Sequence, residues 1–380
     1  MTSSGKVNRK ALPEVDLSVL TSEIEYAAPA TEQETALASA VAQVLGLERA
    51  GIKDNFFDLG GDSLKAIELT AVLERTGYHI EVKTIFEAEN LEELAAKLST
   101  AHIEVEDEFP AGDIPATAAQ MRVYTAQSMS GGTAYNVPYT FKVKKLDPKL
   151  LQNAVDHLIA RHEIFRTRFE NRDGVIMQVV DDSARCQVER LPGDSFSAFI
   201  CPFDLEAAPL LRVGYYENTI FLDMHHIITD GSSIPIFLRE LNELYMGRGL
   251  TDIPVQYRAF AAQEKIRPED ETYWLAVFSD EPPVLEMNTD YPRHNKQSYE
   301  GTAVYETIPA ALHEKICAKS KVLNITPYAY YIGAYYILLS KFSGNEDIVV
   351  GTPASGRSGR FLNTLGMFVN TLALRCRPEG

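Results

Sequence analysis

The chain has 380 residues, 45% of them hydrophobic, and its 53 acidic against 36 basic residues give a formal net charge of -17 at pH 7. That length and apolar content can fill about two or three separate cores, and an acidic balance with no Lys/Arg stripe argues against nucleic acid as a partner. With no signal peptide and no run of ~18 apolar residues, the sequence points away from secretion and membrane spanning; four scattered cysteines, Cys186, Cys201, Cys317 and Cys376, lack metal or disulfide spacing and suit a reducing cytoplasm.

In chain order, residues 1–26 read as a basic tail and polar linker without a core of their own. Thr31-Glu32-Gln33-Glu34 is a capping box. It opens a helix with Leu37, Val41, Val44 and Leu45 on one face, which stops at Gly46. Next comes Asp58-Leu59-Gly60-Gly61-Asp62-Ser63-Leu64-Lys65-Ala66, a glycine-loosened loop that sets Ser63 at the start of a helix with Leu64, Ile67 and Ala71 inward. Ser63 is expected to be exposed there, where free amides and the positive dipole end favour a phosphate. A serine at that position is equally an ordinary N-cap. A further helix follows Asn90, with Leu91, Leu94, Ala95 and Leu98 at helical spacing. These stripes predict a small helical bundle.

The acidic run Glu104 to Glu108 marks a charged linker. Beyond Ile114, helical and β-rich segments alternate. A loop through Asn136-Val137-Pro138 leads into a strand from Tyr139 to Val143, a helix spans Pro148 to Arg161, and strands follow near Val175 to Val180 and Thr219 to Asp223. A second unit is expected to begin near 290, with a helix from Pro309 to Lys321, an apolar helix from Pro327 to Phe342 and a strand from Asp347 to Thr352. Tyr328, Tyr330, Tyr331, Tyr335 and Tyr336 are expected in the core of that apolar helix. The layout is α/β, with helices covering a sheet.

The chemistry centres on His225-His226-Ile227-Ile228-Thr229-Asp230-Gly231, which follows the apolar run Thr219 to Leu222. Neighbouring side chains on a strand project to opposite faces, so one histidine is expected to be structural and the other chemical. His226 is the candidate, since imidazole accepts and returns a proton near neutral pH, as an attacking amine or alcohol requires. Asp230 is expected to hold the loop through an arginine, while Gly231 leaves the backbone room beside a substrate. A packed strand end is the plain alternative. Zinc is disfavoured, because the two rings diverge and no cysteine or histidine cluster completes a metal shell.

The surrounding motifs resemble the condensation domain of nonribosomal peptide synthetases, a relative of chloramphenicol acetyltransferase. They are Ala118-Ala119-Gln120-Met121-Arg122, Arg161-His162-Glu163-Ile164-Phe165-Arg166-Thr167-Arg168-Phe169, the histidine motif, and Gly366-Met367-Phe368-Val369-Asn370-Thr371. Phe165 stands where the family has leucine. The resemblance implies His226 at the reaction centre, a structural His225 and an ion-paired Asp230, with Arg166 and Arg375 either partners of Asp230 or ordinary structural arginines. Asn55 to Leu64 is similar to the peptidyl carrier signature, whose serine, here Ser63, bears 4'-phosphopantetheine attached by a phosphopantetheinyl transferase. Asp62 departs from the histidine common in carriers that face condensation domains. Ser4-Gly5-Lys6-Val7-Asn8-Arg9-Lys10-Ala11-Leu12 resembles the closing motif of adenylation domains, with Ser4 and Asn8 as departures and Lys6 idle here.

The fold class that follows is a small all-α four-helix carrier bundle plus an α/β chloramphenicol-acetyltransferase-like condensation domain, its first lobe complete and its second partial. The boundaries expected are 1–26 for the adenylation tail and linker, 27–99 for the carrier, 100–108 for a linker, 109–285 for the first lobe and 286–380 for the second. The expected function is amide formation between an aminoacyl or peptidyl thioester on Ser63 and an acceptor amine, with an upstream adenylation domain and a downstream acceptor carrier as partners. Epimerization of the carried residue, or a carrier and docking module with an inactive condensation region, are the alternatives. A heterocyclization domain would replace the histidines with aspartates.

Overall fold

The computed structural model describes residues 26–61, 63–100, 112–250, 255–265, 267–292, 301–323, 325–357 and 359–378. They fall into two compact units, one within Met1–Val105 with Ser358–Leu362 and one within Glu106–Arg357 with Asn363–Gly380. The basic tail with Lys6, the acidic linker and Asp62 lie outside the described residues, as do the side chains of Ser63, Leu64, Ile67 and Ala71.

The first unit holds helices α1 (Glu32–Leu45), α2 (Ser63–Arg75), α3 (Val82–Glu87) and α4 (Leu91–Ala96). Thr31 caps α1 through its side chain in the predicted box, and Gly46 ends the helix at φ 68, a left-handed angle costly for any residue with a Cβ. Asn90 caps α4 by accepting from the amide of Glu93. Leu37, Val41, Leu69, Leu73, Ile85, Leu91 and Leu94 form one buried cluster, with Val44 and Leu45 packed at its margin. Each fully buried Leu or Ile contributes ~1.5–3 kcal/mol, which holds the short α3 and α4 that would not persist alone. The unit is not wholly helical, because β1 (Tyr78–His79) pairs antiparallel with β2 (Ser99–Thr100).

The second unit opens with β3 (Ile114–Pro115), α5 (Ala118–Ser130), β4 (Asn136–Lys142) and α6 (Pro148–Arg161). Then come β5 (Thr167–Arg172), β6 (Val175–Val180), β7 (Glu189–Arg190), the single turn α7 (Phe196–Phe199), β8 (Leu211–Tyr216), β9 (Thr219–His225) and α8 (Ser233–Tyr245). Two sheets result, in the orders β4-β9-β8-β7 and β3-β6-β5. The strand expected from Tyr139 begins instead at Asn136, and Pro138 lies within it. β4 is an edge strand, where a residue without an N–H is tolerated. β9 is central and buried from Ile220 to His225, so its last residue is delivered into the interior.

α6 buries Leu151, Ala154, Val155, Leu158 and Ile159, the stripe of a helix that covers a core on one side. It packs on α8, whose Ile234, Phe237 and Leu241 are buried. The chain continues through α9 (Tyr257–Gln263), α10 (Pro268–Val277), α11 (Ala310–Leu323), α12 (Pro327–Ser343) and the antiparallel pair β10 (Ile348–Ala354) and β11 (Asn370–Cys376). Tyr336, Leu339 and Ile348 make a small core there. The expected tyrosine core of α12 is corrected: only Tyr336 of the five is buried, while Tyr328 and Tyr335 are exposed. Five tyrosines at positions 328, 330, 331, 335 and 336 are spread around the helix, and one face cannot take them all.

Candidate active site

The loop before α2 has the backbone that its glycines permit. Gly60 adopts φ 96, open to glycine and strained for other residues. The Gly61 amide donates to the Phe56 carbonyl at 3.0 Å, and a Cβ at 61 would sit 2.6 Å from that oxygen and inside the Phe56 ring. The tight turn sets Ser63 as the first residue of a 13-residue helix, where backbone amides have no intrahelical partner. This position fits a phosphodiester on Ser63, since those amides and the helix dipole favour an anion.

β9 ends at His225, fully buried, and His226 begins a three-residue 3-10 turn, His226–Ile228. The two residues differ in burial, His225 fully enclosed and His226 only partly so. His225 Nδ1 accepts from the Ile227 amide at 3.2 Å, which places its proton on Nε2. Phe203 meets its ring edge to face at 5.9 Å and Tyr135 lies tilted at 6.2 Å. Burial, then the neighbouring His226 and Arg212, push the His225 pKa down to about 4, so the ring is neutral at neutral pH and serves as packing and a backbone acceptor. His226 is half-buried, and its amide donates to the Tyr135 carbonyl at 2.8 Å. Its Nδ1 is enclosed without a hydrogen-bond partner among the described residues.

Two residues before His225, on the same face of β9, Asp223 accepts from Asn136 at 2.7 Å and from Arg212 at 3.0 Å. Burial raises its pKa against those two favourable contacts.

Asp230 is buried and all its strong contacts are internal. One oxygen accepts from the Ser233 amide at 2.8 Å, the Ser233 hydroxyl at 2.9 Å and Arg357 Nη2 at 2.8 Å; the other accepts from the Phe368 amide at 3.0 Å. Arg357 also donates to the carbonyl of Thr364, and its guanidinium lies 4.1 Å from the centre of the Phe368 ring. The expected arginine partner therefore exists, but it is neither of those anticipated. Arg166 pairs with Asp182 and donates to the Ile159 carbonyl at 3.0 Å. Arg375, in β11, pairs with Asp280 and Asp347. Arg375 lies in strand β11, with a nearer carboxylate at each end of its guanidinium, and Arg166 ends its 3-10 turn facing α6. The signal for Arg357 was its setting, Ser355-Gly356-Arg357, where small neighbours let the chain close in: a Cβ on Gly356 would stand 2.6 Å from the Phe368 carbonyl.

Gly231 is exposed, and a Cβ there would meet nothing within 4 Å. The protein itself therefore imposes no steric demand for glycine at 231. Gly366 differs, because a Cβ would enter the ring of Tyr257. That ring stands edge to face with Phe368 at 5.0 Å, and its hydroxyl donates to the Met367 carbonyl at 2.7 Å. Burial drives the Tyr257 pKa well above the ordinary phenol value, keeping it a donor. In the Arg161 to Phe169 segment, His162 meets Glu240 at 2.7 Å with Arg161 at 3.3 Å, joining the end of α6 to α8. Burial opposes ionisation of Glu240, but these partners together lower its pKa. This segment braces the scaffold rather than the histidine turn.

Removing the Asp230 carboxylate should unfold the unit more readily. Breaking a buried pair strands the other charge, at ~3–5 kcal/mol. Asp230→Ala is expected to lower the denaturation midpoint of the second unit and leave that of the first unchanged, as read by urea titration. A fully stable but inactive Asp230→Ala would point instead to a chemical role for the carboxylate.

Comparison with known proteins gives a consistent result. Residues 111–380 match the family described as the condensation domain, and residues 35–98 match the phosphopantetheine attachment site. Over its whole length the chain is 37% identical to gramicidin S synthase 2 of Aneurinibacillus migulanus and 36% identical to bacitracin synthase 2 of Bacillus licheniformis, spanning 9% and 16% of those sequences. It is similarly 36% identical to surfactin synthase subunit 2 of Bacillus subtilis, spanning 11% of it. Among solved structures, a holo four-domain nonribosomal peptide synthetase bound to AMP and glycine aligns with TM-score 0.63 at 23% identity, covering 70% of this chain and 22% of that one. The condensation domain of the monacolin K polyketide synthase aligns with TM-score 0.60 at 22% identity, covering 70% and 68%. These last two likenesses concern the fold.

Proposed function

The chain belongs to the condensation-domain family, with a phosphopantetheine attachment domain ahead of its condensation region, and from that membership we propose that it carries an aminoacyl or peptidyl donor on Ser63 and joins it to an acceptor amine at His226. It is the carrier and amide-forming part of a nonribosomal peptide synthetase. When bound, 4'-phosphopantetheine supplies a thiol on which the acyl group is held as a thioester.

In the proposed reaction the acceptor nitrogen adds to the thioester carbonyl, the C–N bond forms, the C–S bond breaks, and the proton lost by the amine ends on the departing sulfur, which is released as the free thiol of the donor arm. Aminolysis of a thioester is downhill, so the protein's work is orientation, worth up to ~7–11 kcal/mol, together with handling that proton. His226 Nε2 is assigned that task, as base or as the group that aligns the amine. The observation that carries the reading is the division of roles around one turn: His225 is neutral and packed, Asp230 is consumed by Arg357, Ser233 and Phe368, and His226 alone of the three is half-buried. The open space at Gly231 suits a substrate passing beside that ring.

The domain scheme we assign is a carrier over 27–99 folded as a four-helix bundle and condensation lobes over 109–285 and 286–380. Its partners are a phosphopantetheinyl transferase, an upstream adenylation domain and a downstream acceptor carrier, in the cytoplasm. No helix among the described residues is long and apolar enough to cross a membrane. The test is to load a synthetase carrying this chain with a labelled donor and supply an acceptor carrier. Amide product on the acceptor is expected. Exchange of the donor's α-proton with solvent, without amide, would replace this reading by epimerization.

A further inference from the structure

We propose that Gln120 is a positioning residue for His226, holding the histidine turn from behind without touching substrate. The inference rests on the assignment of His226 to the reacting centre. Gln120 is fully buried in the first turn of α5. Its Nε2 donates to the carbonyl of Ile227 at 3.1 Å and to Gln178 Oε1 at 3.3 Å, while its Oε1 accepts from the Thr117 amide at 3.1 Å. Gln178 in turn donates to the Pro115 carbonyl at 3.1 Å. One carboxamide thus ties the start of α5, strand β6 and the 3-10 turn together, and every N–H it owns is engaged.

The turn is consequently pinned on both sides of His226. Its own amide is held by the Tyr135 carbonyl at 2.8 Å, and the next residue's carbonyl is held by Gln120. Helix capping alone does not account for glutamine at this position. The capping box uses only the Oε1 acceptor, which glutamate supplies as well. Donation to the Ile227 carbonyl, a buried acceptor, requires the neutral amide.

The test compares Gln120→Glu and Gln120→Met with the parent in a synthetase carrying this chain. Glutamate keeps the acceptor for Thr117 but turns an oxygen toward the Ile227 carbonyl; methionine keeps the length and removes all polar contact. Both are expected to load Ser63 as the parent does and to lower kcat for amide formation ~10–100-fold, the usual effect of removing a supporting contact behind a functional group, with the acceptor KM within ~2-fold. On a His226→Ala background either substitution should add less than ~3-fold, because residues acting through one group are not additive. If Gln120→Glu does not fold, Gln120→Met decides. A parent kcat in a folded variant, a rise confined to KM, or full additivity with His226→Ala would overturn the positioning role. If His226→Ala itself reacts at the parent rate, it is the histidine assignment that fails.

Discussion

Ser63→Ala is expected to abolish attachment of the phosphopantetheine arm completely. After incubation with a phosphopantetheinyl transferase and coenzyme A, intact mass should show one added arm on the parent chain and none on the variant. The Gly60-Gly61 turn fixes the serine at the start of α2. At that position a hydroxyl, unpaired helix amides and the positive dipole end coincide. Alanine is a good helix former and removes no more than a cap, so the variant should unfold within ~1–2 kcal/mol of the parent. Loss of the arm would then report chemistry and not collapse of the carrier. Modification surviving in Ser63→Ala would remove the carrier reading and shift attention to another hydroxyl.

The second large effect is expected at His226. In a synthetase carrying this chain, His226→Ala should slow amide formation by ~10²- to 10⁴-fold, the range for a positioned acid–base group, while Ser63 loads normally. The alanine variant keeps the His225 contact to the Ile227 amide and the Asp230 clamp, since neither uses the 226 side chain. Parent-like stability with lost turnover is therefore the expected pairing. The pH profile separates a base from an aligning group: a base should give the parent a limb that the variant lacks. Condensation at the parent rate would make His226 a structural residue.

Much of this arrangement is written locally in the sequence. Capping at Thr31 and Asn90, the stop at Gly46 and the stripe Leu151 to Ile159 are short-range features, and the helices fall where those signals put them. The unequal burial of His225 and His226 arises where β9 ends and the 3-10 turn begins, a boundary the sequence pattern did not mark. The partner of Asp230 was illegible for a different reason. Arg166, Arg357 and Arg375 are alike in one dimension, and only the packing of the loop after β10 against Phe368 singles out Arg357. Pro138 misled in the same way, since proline marks a break until the strand that bears it proves to be an edge. Gln120 was visible as part of a motif, but its hold on Ile227 joins residues 107 positions apart.

Such separations govern the order in which the protein can assemble. Asp230 meets Arg357 across 127 positions and Phe368 across 138, and Ser233 reaches Gly366 across 133. Closing loops of that length is entropically costly and slow compared with forming α6 or the β5–β6 hairpin. During synthesis from the N-terminus, the strand bearing the histidines can pair with its neighbours long before residue 368 leaves the ribosome. The histidine turn must wait for it, so the nascent chain holds a finished β9 and an unclamped Asp230 for the time needed to translate the intervening residues, at ~5–20 per second.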